Sequence, residues 1–311
     1  RVIPLSVGRQ RQMGIRDRIC HDVALPAGVI NIVFGKGSVV GHALASNPKV
    51  GMVSLTGSVG AGQQIMRAAA ENITKVSLEL GGKAPAIVLP DADLDLAVKA
   101  IIDSRILNTG QVCNNAERVY VHRSIKDAFT AKLLAGFKAV KVGDPSRNAD
   151  LDMGPLIEEK ALETVLKKID HAVVQGCKLI CGGHRIGNKG YFIEPTLLDQ
   201  ARQDMDIVQQ ETFGPVLPII TFDTVNQVID MANDSEYGLT SSIYTKDLDM
   251  AVKLNRELKL GETYINRENF EAIQGFHAGW RKSGIGGADG KHGLEEYLQT
   301  HVVYLDTHYD S

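Results

Sequence analysis

Two residues carry most of the chemistry this sequence offers: Cys113 in GQVCNNA and Glu79 in LELGGK. A thiol and a carboxylate converging in one crevice allow covalent capture of a carbonyl carbon, followed by delivery of water to the captured group. Each residue also has a plainer reading. The chain has four cysteines, at 20, 113, 177 and 181, and an unpaired core cysteine is commonly a small apolar filler. Glu79 has Lys83 nearby as an ordinary ion-pair partner, yet a carboxylate at the carboxyl end of an internal strand is costly unless paired or functional. Around Cys113 stand Asn108, Thr109, Gln111, Asn114 and Asn115. These are neutral donors of the kind an oxyanion needs. No cationic residue is local to Cys113, so its activation is expected from helix dipoles or from the charge of a cofactor.

Two glycine turns add a second theme. GKGSVVG, beginning at Gly35, follows a run that reads as a strand, and TGS at 56–58 places Gly57 and Ser58 at the start of a helical pattern. Free amides at a helix N-terminus make a natural phosphate seat. Each turn alone is weak evidence, because glycine is common at strand–helix turns for steric reasons and Ser58 serves equally as a plain N-cap. Two on adjacent strands favour a nucleotide.

The elements that must position these residues follow from periodicity. GVINIVFG, VGMVSLTG and KVSLELGG read as strands separated by the helical patterns SVVGHALASNP and VGAGQQIMRAAAEN. Alternation of this kind with short turns predicts a parallel sheet that binds its ligands at the carboxyl ends of the strands. After Pro90 a second α/β series follows. It has helices at DADLDLAVKAIIDSRILNTGQ, SIKDAFTAKLLAGFKAV and near 158–175, 225–233 and 247–257. Strands are expected at ERVYVH, KLICGG, FGPVLPIITF, LTSSIYT and ETYINR. The chain closes with a glycine-rich loop, a short helix at LEEYLQ and a strand at HVVYLD. The fold class expected is α/β, with a partial Rossmann-like parallel-sheet cofactor domain over 1–80 and an α/β catalytic domain over 81–280. Residues 281–311 are expected to return to the cofactor domain and supply an oligomerisation strand.

Whole-chain properties bound the partners. With 311 residues, 44% hydrophobic and 23% charged, the composition is that of a globular chain of about two domains. A net charge of -3 argues against nucleic acid as the main partner, and the longest apolar runs are strand-length, far short of a membrane span. Cys177 and Cys181 lack the second pair that a zinc site requires, so no metal is expected. A reduced, cytoplasmic setting is the simplest reading of so few cysteines. The arginines at 1, 9, 11, 16 and 18 crowd an opening of little periodicity, read as a basic arm or, preferably, as a non-native junction.

LELGGK, GQVC and QETFGPV at 210–216 together are far more specific than any one of them. In this combination the chain resembles the NAD(P)-dependent aldehyde dehydrogenase superfamily from about residue 25 to the end. Its segment NRENFEAIQGFHAGWRKSGIGG, at 266–287, lies nearest the lactaldehyde and glycolaldehyde branch. The resemblance implies that Cys113 is the nucleophile, forming a thiohemiacetal and then a thioester, and that Glu79 is the base for its hydrolysis. It implies that Glu211 holds the nicotinamide ribose, that Phe213 packs beside the nicotinamide, and that Gly57 and Ser58 meet the cofactor phosphates. Asn114, Glu271 and His277 are implied as substrate contacts, with His277 standing where many relatives carry Phe. NAD is the cofactor implied by the branch, with NADP not excluded, and a homo-oligomer (dimer or tetramer) is implied through the final strand. The opening matches nothing at the corresponding family position, and a truncated, impaired enzyme is therefore a further expectation. Acyl transfer to coenzyme A is a competing one, against which Glu79 counts, and cofactor-free ester hydrolysis another. A non-enzymatic chain that only assembles with others is the last.

Overall fold

The computed structural model describes residues 14, 15 and 18–306. The arginine-rich opening therefore lies largely outside the described residues. Seven strands make the larger sheet: β3 (Ala84–Val88), β4 (Ala116–His122), β5 (Lys178–Cys181), β6 (Thr196–Asp199), β7 (Val216–Phe222), β8 (Thr240–Tyr244) and β9 (Glu262–Ile265). Their order is β5-β6-β7-β4-β3-β8-β9. Every pairing is parallel except β5 with β6.

Alternation along these strands sorts side chains onto two buried faces, as a sheet covered on both sides requires. Ile87, Tyr120, Ile220 and Ile243 pack with Leu162, Val165 and Ile169 of the helix Glu159–Val174, and with residues of the helices Val225–Asn233 and Leu248–Glu257. Their neighbours Val88, Val119, Ile219 and Tyr244 pack on the other face against Ile101, Phe129, Leu133 and Phe137, from the helices Leu94–Ile106 and Lys126–Ala139. The result is helix, sheet, helix.

The smaller sheet has three strands in the order β1-β2-β10: β1 (Met52–Thr56), β2 (Lys75–Glu79) and β10 (Gly284–Ile285). β1 pairs with β2 in parallel, and β10 pairs antiparallel to β2, opposite Glu79 and Leu78. Glu79 thus ends an internal strand. The helix Val59–Ala70 links β1 to β2, with the Ser58 side chain accepting from the Ala61 N–H at 3.2 Å.

Two expected strands do not form. Residues 28–35 carry no strand, and Val29, Ile30, Val33 and Phe34 are exposed. Their apolar run has no neighbouring strand to pair with here. HVVYLD at 301–306 likewise forms no strand among the described residues, and Val302, Val303, Tyr304 and Leu305 are exposed. The last helix falls at Gly290–Glu295, a few residues before LEEYLQ. β6 was hidden in the sequence by its shortness, four residues between Pro195 and the Gln200 turn.

Candidate active site

Cys113 is reached through a tight turn. The helix Leu94–Ile106, capped by Asp93, gives way to Leu107–Gly110, where Asn108 and Thr109 adopt φ of 47° and 61°. Left-handed backbone at two successive non-glycine residues must be held by its surroundings. The buried Arg105 guanidinium does much of this, donating to the carbonyls of Gly110 at 2.9 Å, Gly214 at 2.5 Å and Ala116 at 2.8 Å. Thr109 Oγ1 adds a bond to the Gly154 carbonyl at 3.1 Å. Cys113 emerges half-buried just before β4, unlike Cys177, which is buried against the Met205 sulfur with its thiol pushed up by burial.

Glu79 arrives from the other sheet. Lys83 does not pair with it: Lys83 Nζ turns to Glu117 Oε2 at 2.6 Å, which removes the ordinary ion-pair reading. Both Glu79 carboxylate oxygens are buried without a hydrogen-bond partner. Burial pushes the group up to about 7; the charge of His277 pulls it down, while Glu262, Asp289 and Glu271 push it further up. A carboxyl poised near neutrality in a crevice is what a general base requires.

His277 comes to Glu79 from a distant part of the sequence. The backbone bridge between His277 and Ala288 (2.9 and 2.8 Å) brings the ring into the crevice. There Nδ1 lies 2.5 Å from Glu262 Oε1 and Nε2 lies 3.6 Å from Glu79 Oε2. Burial would lower the imidazole, but the bond to Glu262 and the charges of Glu262 and Glu79 outweigh it and raise it to about 11. Asn114 Nδ2 meets Glu271 Oε2 at 2.5 Å, so these two residues share one wall. A cavity of about 320 Å³ opens beside them, lined in part by His277, Glu271, Glu262, Arg267 and Phe276.

The two sheets meet at Gly81 and Gly82. A Cβ on Gly82 would lie 2.2 Å from the Cys113 carbonyl oxygen, and one on Gly81 would lie 2.5 Å from Glu211 Oε2. The LGG turn therefore threads between the Cys113 backbone and the Glu211 carboxylate, with the Gly82 N–H donating to Glu211 Oε1 at 2.9 Å. Burial and the charge of Glu117 push Glu211 up to about 7. Phe213, at φ 55°, is half exposed beside the same turn.

Sequence reading missed what fixes that loop. Glu117 is fully buried, 2.6 Å from Lys83 and 3.1 Å from Arg105, and accepts the N–H groups of Thr212 at 2.9 Å and Phe213 at 3.2 Å. Although burial opposes ionisation, Lys83 and Arg105 hold Glu117 down at about 2. One carboxylate thus ties the Cys113 strand to the Glu211 loop. The signal was present in ERVYVH, two charges opening a strand that is otherwise apolar and central to the sheet.

The dinucleotide turns lie close by. The Gly57 N–H donates to the Glu79 carbonyl at 2.9 Å, placing the Gly57–Ser58 turn against the base of the site. Ser58 Oγ accepts the Ala61 N–H at the helix cap, which leaves its hydroxyl proton available to donate to a phosphate. Gly35 packs on Val40, and beyond it Gly37, Ser38, Gly41, Leu55, Ala61 and Gln64 line part of a cavity of about 670 Å³. Glycine turns, a helix N-terminus and a buried carboxylate facing a second glycine pair fit a nicotinamide dinucleotide. Among the described residues, no group of three or more His, Cys, Asp or Glu could hold a metal, and no helix is long and apolar enough to cross a membrane.

The chain belongs to the aldehyde dehydrogenase family, whose model matches residues 16–303. It is 62% identical over 290 residues to lactaldehyde dehydrogenase of Escherichia coli K12, covering 93% of this chain and 60% of that protein. It is 46% identical over 292 residues to 3,6-anhydro-alpha-L-galactose dehydrogenase of Vibrio sp. EJY3, covering 93% and 61%. The crystal structure of the Escherichia coli lactaldehyde dehydrogenase superposes with a TM-score of 0.92 over 94% of this chain and 61% of that one. Betaine aldehyde dehydrogenase from Staphylococcus aureus, solved with NAD+, superposes at 0.87 with 38% identity over 91% and 56%. The chain thus spans about 60% of the length of the curated relatives it matches.

Proposed function

We propose that this protein oxidises a small hydroxyaldehyde such as lactaldehyde or glycolaldehyde to its acid, using NAD or NADP, with NAD the cofactor expected from the resemblance. The observation that carries this reading is the meeting of the two sheets at Gly81 and Gly82, where the turn that follows Glu79 packs on the Cys113 backbone and His277 lies 3.6 Å from Glu79. Cys113 Sγ attacks the aldehyde carbon, and the carbonyl electrons move onto oxygen. The Cys113 backbone N–H would supply one donor to that oxygen. Nicotinamide dinucleotide, when bound, supplies the hydride acceptor. Gly57, Ser58, Glu211 and Phe213 would hold and orient it, and Gly81 and Gly82 leave room for its approach. The thioester left on Cys113 is hydrolysed by a water whose proton passes to Glu79, a carboxyl already close to neutral-range ionisation.

The polar wall of His277, Glu271 and Asn114 favours a substrate hydroxyl next to the carbonyl. The buried Glu79, with neither oxygen hydrogen-bonded, favours water over coenzyme A as the acyl acceptor. Assembly as a homodimer or homotetramer, a cytoplasmic setting, and a division into a cofactor unit over 1–80 and a catalytic unit over 81–280 belong to the same proposal. The test is reduced-nicotinamide absorbance with lactaldehyde and NAD, with acid measured with and without coenzyme A. Reduced dinucleotide and free acid in equal amounts are expected. Ester cleavage without any dinucleotide reduction, or acyl-CoA as the product, would contradict the reading.

A further inference from the structure

Asn269 carries no reacting group, yet its side chain is tied to both ends of the turn that follows Cys113. It lies beyond β9 and is buried, as are Ser104, Thr240 and Asn114. Its Nδ2 donates to Thr240 Oγ1 at 3.3 Å, and Thr240 Oγ1 donates to the Asn114 carbonyl at 2.6 Å. Its Oδ1 accepts from Ser104 Oγ at 3.2 Å, and Ser104 Oγ accepts the Ala116 N–H at 2.9 Å. Each hydroxyl here donates once and accepts once, so the backbone groups at the two ends fix the direction of every bond between them. Asn115 lies between those two backbone groups, buried with neither atom of its side-chain amide hydrogen-bonded. Its own side chain does not anchor the turn. Two residues beyond Asn269, Glu271 accepts from Asn114 Nδ2 at 2.5 Å.

We propose that Asn269 is a positioning residue for the reaction: through Thr240 and Ser104 it grips the peptide groups on either side of Asn115, and through its own loop it sets Glu271 against Asn114. The turn after Cys113 and the Asn114–Glu271 wall are thereby one hydrogen-bonded unit rather than two neighbouring loops. Asparagine suits this place because its amide is donor and acceptor in one rigid plane, which neither a carboxylate nor an aliphatic side chain can match. Removing any member leaves its neighbours buried with an unmet donor or acceptor, so the bonds stand or fall together. The inference rests on Cys113 as nucleophile and Asn114 as substrate contact; Asn269 acts only through its neighbours.

The test uses the whole chain carrying Asn269→Leu, Thr240→Val, both together, or Thr240→Ser, which keeps the hydroxyl. One readout is amide hydrogen exchange of the peptide 113–117 by mass spectrometry, with no aldehyde or dinucleotide present. The other is the ratio of kcat/KM for lactaldehyde to that for propionaldehyde, with NAD. Asn269→Leu and Thr240→Val are each expected to speed exchange of that peptide roughly tenfold, with β7 unchanged, and to lower the ratio roughly tenfold. Because the bonds form one chain, the combined variant is expected to show about the same tenfold effects, not about a hundredfold. Thr240→Ser is expected to stay within about twofold of the wild type. Thermal unfolding checks that each variant is folded; where Asn269→Leu is not, Thr240→Val and Thr240→Ser decide. Unchanged exchange in the folded variants, effects that multiply in the combined one, or an equal fall in kcat/KM for both aldehydes overturns the inference. A wild-type chain that oxidises neither aldehyde contradicts the proposed function instead, and exchange in the ligand-free variants then decides the inference by itself.

Discussion

The two sheets solve the problem of burial differently, and the site lies where they meet. Every residue of β3 and β8 is buried, and helices cover both faces of the larger sheet. No residue of β1 is buried, and β2 becomes buried only over Ser77–Glu79, its last three residues. The larger sheet can therefore hold charge in its interior, as it does with Glu117, Lys83 and Arg105. The smaller sheet carries its one buried carboxylate at its tip, against the larger one. A covalent nucleophile needs a rigid seat, and Cys113 takes it from the larger sheet through Arg105. Glu79, the proposed base, is buried at the seam with neither oxygen hydrogen-bonded and the His277 ring 3.6 Å away.

The sharpest way to break this contrast is Glu117→Gln. It leaves Lys83 and Arg105 buried with their shared anion gone, and a loss of about 3–5 kcal/mol in unfolding free energy is expected by denaturant titration. A loss under about 1 kcal/mol would mean that the larger sheet is not organised around this charge.

The seam gives a smaller, pH-dependent effect. Glu79 is raised from 4.5 to about 7 in the folded protein, so its folded state disfavours the charged form. The stability this confers is complete below about pH 4.5 and is lost as pH rises through about 7. Glu79→Gln, which cannot ionise, is thus expected to gain on the wild type by on the order of 2–3 kcal/mol between those limits. The check is thermal or denaturant unfolding of both chains across that range; parallel stability curves would place Glu79 in solvent. Hydrolysis of the thioester has the opposite trend in function, rising through about pH 7 as Glu79 loses its proton.

At the wall of the pocket, His277→Phe is expected to cost about 1–3 kcal/mol in kcat/KM for hydroxyaldehydes relative to plain alkyl aldehydes. Equal losses on both substrate types would remove His277 from recognition of the hydroxyl. The smallest effect belongs to the thin sheet. Gly60 sits in the first turn of the helix Val59–Ala70, with open space where a Cβ would go. Gly60→Ala is expected to stabilise by about 0.5–1 kcal/mol, whereas Gly82→Ala, driven into the Cys113 carbonyl, should not be tolerated.

Much of the larger sheet was legible because its strands and helices announce themselves by periods of two and near four. β4, β7, β8 and β9 and the five long helices after Pro90 fall within a few residues of expectation. The strands at 28–35 and 301–306 were misread because an apolar run says that a strand could be buried, not that a neighbour exists to bury it. Cys113 and Glu79 were singled out from residue type and local context. Glu117 was not, since its partners come from Lys83, Arg105 and the 212–213 turn, far apart in sequence. His277 was singled out for its place in the pocket, but its approach to Glu79 and Glu262 depends on the bridge to Ala288 and on β9, which no local pattern reveals.

The most direct measurement is mass spectrometry of the Glu79→Gln chain after a single mixing with lactaldehyde and NAD. Capture without hydrolysis should leave a lactoyl mass on the Cys113 peptide and about one equivalent of reduced dinucleotide per site, with little free acid. An unmodified Cys113, an adduct confined to another cysteine, or undiminished release of acid would contradict the account.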